Sequence, residues 1–525
     1  MSYEGQAHHP HRRGYPPSPD LLLASQSTVP PSLQLVQAHW FVRHGERAPV
    51  RQRMVGLGEI PAVFELCSVG RQFSTAVLSL APQTPSQPLS TSSTLHSSPA
   101  PTNPFLSSSR HTTTLGSPPS SCPQGAPVDP TPRQMSVTRF TEDIPTSASS
   151  SSKPTKGGLR DCYWGELTDL GRESTLRFGS ILRSLYVLNP LSSSTTSFLP
   201  SNPLDSSLLF EKGIVQFRST NMPRTIESLH QIIEGLFETS RSPSNLRIPF
   251  RVRNWMDENL YPNTACKNLR FLDAASIQRA AKLYNPGLEK LDERLIPVLG
   301  KALRVDSSPR ANGVLDTLMV CRAHGIKVPG VFEDKEVLET LEKGVVHEWF
   351  DGYLNPEFRR LAMGRLFSDL HSHLSSKITN PLEDALKLSI NSCHDTSIGG
   401  ILNALNAFND RWPPFTSHLG IELYKTVDPS TPTPSTSSTI TNDSKSLTSR
   451  ITSFLPSSKP SSSSKSPHFV RVLFNGKPLS LPGCSKVEEH LEGTKGSVCT
   501  WEAFEKVLNE VKIGEDEWKE ACGTD

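Results

Sequence analysis

The sequence has no apolar run approaching the roughly 20 residues that a membrane-spanning helix needs. Its net charge is also close to nil: Lys and Arg total 54 against 52 for Asp and Glu, a formal +2. No global field marks the chain for nucleic acid or an anionic surface. The N-terminal stretch has one apolar cluster, Leu21-Leu22-Leu23, too short for the core of a secretory leader. Arg12 and Arg13, with only Glu4 and Asp20 as acids before residue 30, fit a transit peptide, but the prolines there oppose an amphipathic helix. The nine cysteines are dispersed, with no CxxC and no zinc-type spacing. An odd count without a leader predicts free thiols in an intracellular chain. Other signatures are missing too. No cysteine has an Arg at C-x5-R spacing, Asp369-Leu370-His371 has no GDxxD or GNHD partner, and His347-Glu348 lacks a second zincin histidine. His371 and His373 then read as an ordinary helix surface, and the chain is expected to use no metal and no cofactor.

Proline, by contrast, is abundant, with 45 residues. Much of it lies in two Ser/Thr/Pro-rich segments, 81–155 and 428–467, with a shorter one at 191–207. None can bury enough apolar area to offset its ordering entropy, so they read as disordered insertions, and residues 1–32 as a disordered lead. The foldable remainder divides into an α/β core (33–80, 156–254, 376–427 and 468–525) and a mostly helical stretch over 255–375 that reads as an inserted cap.

The core segments repeat one pattern of strand, polar motif and helix. Val36, Ala38, Trp40 and Val42 alternate with Gln37, His39 and Phe41, a strand period that ends at Arg43-His44-Gly45. Thr168 can cap a helix whose stripe is Leu176, Ile181, Leu182 and Leu185. Ile214–Phe217 predict a strand running into Arg218-Ser219-Thr220. A helix follows with Ile226, Leu229, Ile233, Leu236 and Phe237 on one face and Pro223 in its first turn. Leu386, Leu388 and Ile390 predict a third strand, delivering Cys393-His394-Asp395, and Thr396 starts a helix with Ile398, Ile401, Leu402 and Leu405 inward. In open α/β sheets ligands bind beyond the carboxyl ends of strands, so these three motifs are placed to converge.

Arg43-His44-Gly45-Glu46-Arg47-Ala48-Pro49 sets an imidazole between two guanidiniums. A phosphoryl group needs its equatorial oxygens neutralised during in-line attack, and arginine's planar fork suits that task. The flanking charges should keep His44 neutral and nucleophilic, with the Gly45 carbonyl fixing its tautomer and Gly45 allowing a tight turn. Arg218 is the candidate third phosphate ligand, ahead of Arg224. His394 can donate to the phosphate, and Asp395 can protonate a departing alkoxide. The bland readings are a solvated loop for the first motif, a structural Arg218, and an N-cap pair for His394-Asp395.

These residues resemble the histidine acid phosphatases, the two-motif branch of the histidine phosphatase superfamily, whose hallmarks RHGERAP, FRST and HDT stand here in order. Segments such as GGLRDCYWGELTDLGRESTLRFGSILRSLY, NLYPNTACKNLR and RWPPFTSHLGIELYK are similar to the lysophosphatidic acid phosphatase type 6 subgroup. The resemblance implies a phosphoglycerate-mutase-like three-layer α/β core with an inserted helical cap and no cofactor. It also implies His44 as nucleophile, Asp395 as general acid, and Arg43, Arg47, Arg218 and His394 as phosphate ligands. The substrate would be a small or lysophospholipid phosphomonoester. Disulfides of secreted relatives would match Cys266, Cys484, Cys499 and Cys522, while the subgroup suggests mitochondria, with the cytoplasm as the other intracellular option. The alternatives are an inositol-polyphosphate phosphatase of phytase type, which needs a strongly basic cleft, and an inactive phospholigand-binding protein. No nucleic-acid partner is expected, and the oligomeric state stays open.

Overall fold

The computed structural model describes residues 29–69, 160–188, 198–199, 207–238, 248–427 and 468–523. The insertions expected at 81–155 and 428–467 lie outside the described residues, as do residues 1–28 and most of 191–207. Strand β1 (Leu33–Arg43) is followed by α1 (Asp169–Arg183), β2 (Val215–Ser219) and α2 (Pro223–Phe237). Five helices then run in succession: α3 (Lys267–Glu289), α4 (Asp292–Leu299), α5 (Ala311–Ala323), α6 (Lys335–Phe350) and α7 (Pro356–Thr379). The chain returns to the sheet with β3 (Leu388–Cys393), α8 (Asp395–Ala404), β4 (His418–Thr426), β5 (His468–Phe474), β6 (Lys477–Pro478) and β7 (Val498–Thr500). It ends with α9 (Trp501–Val511) and α10 (Glu515–Cys522).

The sheet order is β2-β3-β1-β4-β5-β6, with β7 also on β5. β2, β3 and β1 are mutually parallel, while β4 and β5 run antiparallel. Because β1 lies between β3 and β4 with a layer on each face, its residues from Ala38 to Arg43 are all buried, not one face of them. On one face Trp40 and Val42 pack with Phe178 and Leu182 of α1 and Leu229 and Leu236 of α2. On the other, Phe41 packs with Ile398 and Ile401 of α8, Leu366 of α7 and Phe504 of α9. This is the three-layer α/β arrangement. Two polar side chains forced inside are satisfied locally: Gln37 donates to the Leu386 carbonyl at 3.2 Å and faces His39 Nε2 at 3.0 Å.

Three sequence expectations need correction. Helix α7 was grouped with the cap, but Leu361, Met363, Leu366 and Leu370 join the core under the sheet, so the boundary near 375 falls too late. The third cluster is what α3 to α6 build, with Leu288, Leu295, Val314 and Val345 packed against Ala48 and Ile60 from the loop after β1. Helix α8 starts at Asp395, with His394 as its N-cap, not at Thr396. Cysteine is the third case. Cys67–Cys162, Cys266–Cys522 and Cys484–Cys499 are disulfides, leaving Cys321 and Cys393 as buried free thiols among the described residues. Cys266, Cys484, Cys499 and Cys522 are the four that the family resemblance implied; Cys67–Cys162 is the pair that dispersed spacing concealed.

Candidate active site

Parallel register brings the three motifs side by side. Arg43 is level with Cys393 on β3, and Ser392 is level with Ser219 on β2. The ladder continues past the strand ends: the His44 amide donates to the Cys393 carbonyl at 3.0 Å, and the Thr220 amide to the Ser392 carbonyl at 3.2 Å.

His44 is buried at the floor of the resulting cavity. Its Nδ1 lies 2.9 Å from the Gly45 carbonyl oxygen. A carbonyl only accepts, so Nδ1 carries the proton and Nε2 keeps a free lone pair. Burial first, then Arg224, Arg43 and Arg47, hold the His44 pKa well below the ordinary histidine value. Gly45 is needed for close approach and not for a turn, since its φ is not positive. A Cβ there would stand 2.3 Å from the Gly171 carbonyl oxygen, and one on Gly171 only 2.1 Å from the Glu46 carbonyl oxygen. The loop thus lies backbone-on-backbone against the first turn of α1, whose N-cap Thr168 accepts from the Gly171 amide at 3.2 Å.

Arginines surround this imidazole. Arg43 Nη2 pairs with Asp395 at 2.8 Å, its Nη1 donates to the Pro413 carbonyl at 2.5 Å, and its guanidinium lies 4.2 Å from the centre of the Phe415 ring. Arg47 Nη2 pairs with Asp316 of α5 at 2.7 Å. Arg224, in the first turn of α2, lines the cavity too; burial lowers both Arg43 and Arg224 to about 10, which leaves them charged at any working pH. The buried Nε atoms of Arg43, Arg47 and Arg224 have no hydrogen-bond partner. Three unsatisfied, charged donors around one neutral imidazole form an anion site.

His394 and Asp395 face His44 from the start of α8. The His394 ring is 5.7 Å from that of His44, and its Nε2 is 2.9 Å from Thr220 Oγ1. Burial, reinforced by Arg224, lowers its pKa to about 3. For Asp395 burial pushes the pKa up, but Arg43, Arg47, His394 and the Thr396 amide together hold it below the usual carboxylate value. The free site therefore holds a neutral His44 beside an ionised Asp395.

Arg218 is not brought to this cavity. It lies within β2, and its Nη2 donates to Glu258 at 2.5 Å and to Asn259 at 2.7 Å, with Asp369 3.7 Å from Nη1. Arg224, the weaker sequence candidate, occupies the place Arg218 was expected to fill. Asp316 and Phe415 were not singled out in the sequence. An isolated acid on a helix carries no signal, and Phe415 stood only within a segment resembling the family. Asp369 pairs with Arg253 at 2.7 Å and His371 meets Glu505 at 2.9 Å, so both are engaged by protein partners.

The cavity has a volume of about 900 Å³. Its lining includes the apolar Leu299, Leu315, Met319, Val345, Trp349 and Trp412 together with the cations Arg51, Arg53, Lys301 and Arg310.

Residues 34–475 match the model of the histidine phosphatase superfamily, branch 2. A probable acid phosphatase of Schizosaccharomyces pombe is 30% identical over 92% of this chain and 93% of its own length. Lysophosphatidic acid phosphatase type 6 of Pongo abelii is 27% identical over 52% of this chain and 59% of its own. Among solved structures, a Hafnia alvei phytase covers 94% of this chain and 99% of its own at 13% identity, with a TM-score of 0.47. With three strand-end motifs gathered around His44 and a family match spanning most of the sequence, the chain belongs to branch 2 of the histidine phosphatase superfamily.

Proposed function

We propose that this chain is an acid phosphatase that hydrolyses phosphate monoesters through a phosphohistidine on His44. One observation carries the reading: a neutral imidazole with a free Nε2 stands among three unsatisfied arginines, next to a carboxyl group. The phosphoryl group sits on Arg43, Arg47 and Arg224, with His394 beside it, and Nε2 attacks phosphorus as the P–O ester bond breaks. Asp395 gives its proton to the leaving oxygen. It then takes one from the water that cleaves the P–N bond, releasing phosphate and restoring His44.

In the free site Asp395 is ionised, so its proton must come with the substrate. A bound phosphate offsets the positive field of Arg43 and Arg47 and raises the Asp395 pKa. Below about pH 6 the ester also arrives as a monoanion carrying a proton. Both effects favour turnover in acid.

For the substrate we infer a single-chain lipid phosphate of the lysophosphatidic type. The apolar lining from Leu299 to Trp412 and the similarity to lysophosphatidic acid phosphatases support this. The lining cations favour an inositol polyphosphate instead. Initial rates at pH 4–7 on lysophosphatidic acid, phosphatidic acid, phytate and an aryl phosphate decide between them: phytate turnover exceeding that of lysophosphatidic acid would sink the lipid reading. The three disulfides support a compartment oxidising enough to keep them formed, in place of the cytoplasm. Alkylation of the native protein isolated under acid quench should leave those six cysteines unlabelled, and labelling of them would refute that placement.

A further inference from the structure

Of the lining arginines that phosphoryl transfer leaves unused, Arg51, Arg53 and Arg310, one has a buried nitrogen without a partner. Arg53 lines the same cavity as His44, is half-buried, and has a buried Nη1 with no hydrogen-bond partner. Arg51 and Lys301, which also line it, are exposed and keep their hydration. Arg43 and Arg47 have their own carboxylates, Asp395 and Asp316. Arg53 has no carboxylate within ion-pair distance; Asp316 counters its burial only in part, so the unpartnered Nη1 keeps a desolvation cost.

Its position is held by a contact that any larger residue would break. A Cβ on Gly313 of α5 would lie 2.3 Å from Arg53 Nε and 2.5 Å from its Cζ. Gly313 precedes Asp316 on that helix by three residues, about 4.5 Å along the axis. Asp316 is the residue that anchors Arg47. Arg53 and Arg47 therefore meet α5 one helical turn apart, and both line the cavity that holds His44.

We propose that Arg53 is a specificity residue that hydrogen-bonds an oxygen acceptor on the leaving group of the substrate. This rests on the phosphatase reading above. A hydroxyl, an ester carbonyl or a carboxylate would each supply that oxygen. A bare alkyl phosphate would leave Arg53 unpaired. A hydrogen bond to a charged group typically changes an equilibrium by about 10- to 100-fold, and rejection of the analogue lacking it takes the same form.

The test uses the full-length protein and three substrates: hexyl phosphate with no acceptor, hexanoyl lysophosphatidic acid with hydroxyl and ester oxygens, and 3-phosphoglycerate with a carboxylate. The readout is the ratio of kcat/KM for each acceptor-bearing ester to that for hexyl phosphate. In Arg53→Met this ratio should fall about 10- to 100-fold for at least one of the two, and the one that falls further identifies the acceptor. Gly313→Ala keeps the arginine but displaces it, and should lower the same ratio. Thermal midpoints of both variants confirm that they fold. Ratios within twofold of the parent in both variants overturn the inference while leaving the phosphatase reading intact. If the parent hydrolyses none of the three, the phosphatase reading falls first and this inference with it.

Discussion

Replacing the two arginines on either side of the β2–α2 turn should damage different properties. Arg224 lines the cavity, with a buried Nε that has no protein partner. Removing one such preorganised donor from a charge-stabilising site costs roughly 10²- to 10³-fold in rate, or about 3–4 kcal/mol. Arg224→Met should therefore lower kcat/KM for p-nitrophenyl phosphate by that factor, with an unchanged urea midpoint. Arg218 instead neutralises Glu258, a carboxylate only 2% exposed, at 2.5 Å. Breaking a buried pair from one side costs about 3–5 kcal/mol, because the other charge is left behind. The Asn259 and Leu260 amides still donate to Glu258 at 2.9 Å, which argues for the lower end of that range. Arg218→Met should thus lower the urea midpoint clearly while kcat/KM of the folded fraction changes by less than about tenfold. Steady-state kinetics at pH 5 and equilibrium unfolding on the same preparations separate the two. A stable Arg218 variant with a hundredfold loss of kcat/KM, beside an Arg224 variant of near-normal activity, would refute the assignment.

Other substitutions and conditions test the remaining links. Gly45→Ala should cost at least about 10²-fold in kcat, since its Cβ meets the Gly171 backbone at 2.3 Å and must push the His44 loop aside; activity within threefold of the parent would mean the loop yields without moving the imidazole. Arg471→Met should lower stability by about 3–5 kcal/mol with KM unaltered, because Arg471 and Glu422 form a fully buried pair at 2.6 Å, far from the cavity lining, that Tyr186 and Tyr424 also join. Stability should also fall as pH drops below 6.5. His39 and His394 have folded pKa values of about 3 and His418 about 4, all under the ordinary histidine value of 6.5, so the unfolded chain binds more protons throughout that window. Glu348, raised to about 7, works in the opposite direction as pH falls, as do the raised Glu46 and Asp273, but three carboxyls do not offset the eight histidines that burial lowers among the described residues; a urea midpoint higher at pH 4.5 than at pH 7 would contradict this balance.

Much of the site was legible because its signals are local. The strand that ends at Arg43 and the start of a helix after Thr168 each depend on a few neighbouring residues, and both appear in the structure, although burial from Gln37 to Arg43 does not alternate. The convergence of His44 and His394 followed from a general property of parallel sheets. What escaped depends on contacts between distant segments. Asp316 acquires its importance only when α5 swings over the loop after β1, and Cys67 meets Cys162 across a sequence separation of 95. The choice between Arg218 and Arg224 turned on the backbone between β2 and α2: Arg218, next to last in β2, pairs with Glu258, while Arg224, six residues on in the first turn of α2, lines the cavity. The stripe of α1 was also only partly right. Phe178 and Gly179 are buried in it, whereas Leu176 and Ile181 are half-exposed, because Gly179 sits against the Ile232 backbone of α2 and so sets the buried face.

The central claim is that His44 carries the phosphoryl group. Mixing the protein with phosphorus-labelled aryl phosphate at pH 5 and quenching within milliseconds into alkali should trap label on one histidine-containing peptide, the one bearing His44. His44→Ala should show neither label nor turnover. Turnover without a trapped intermediate in the parent, label on any other residue, or undiminished hydrolysis by His44→Ala would contradict the account.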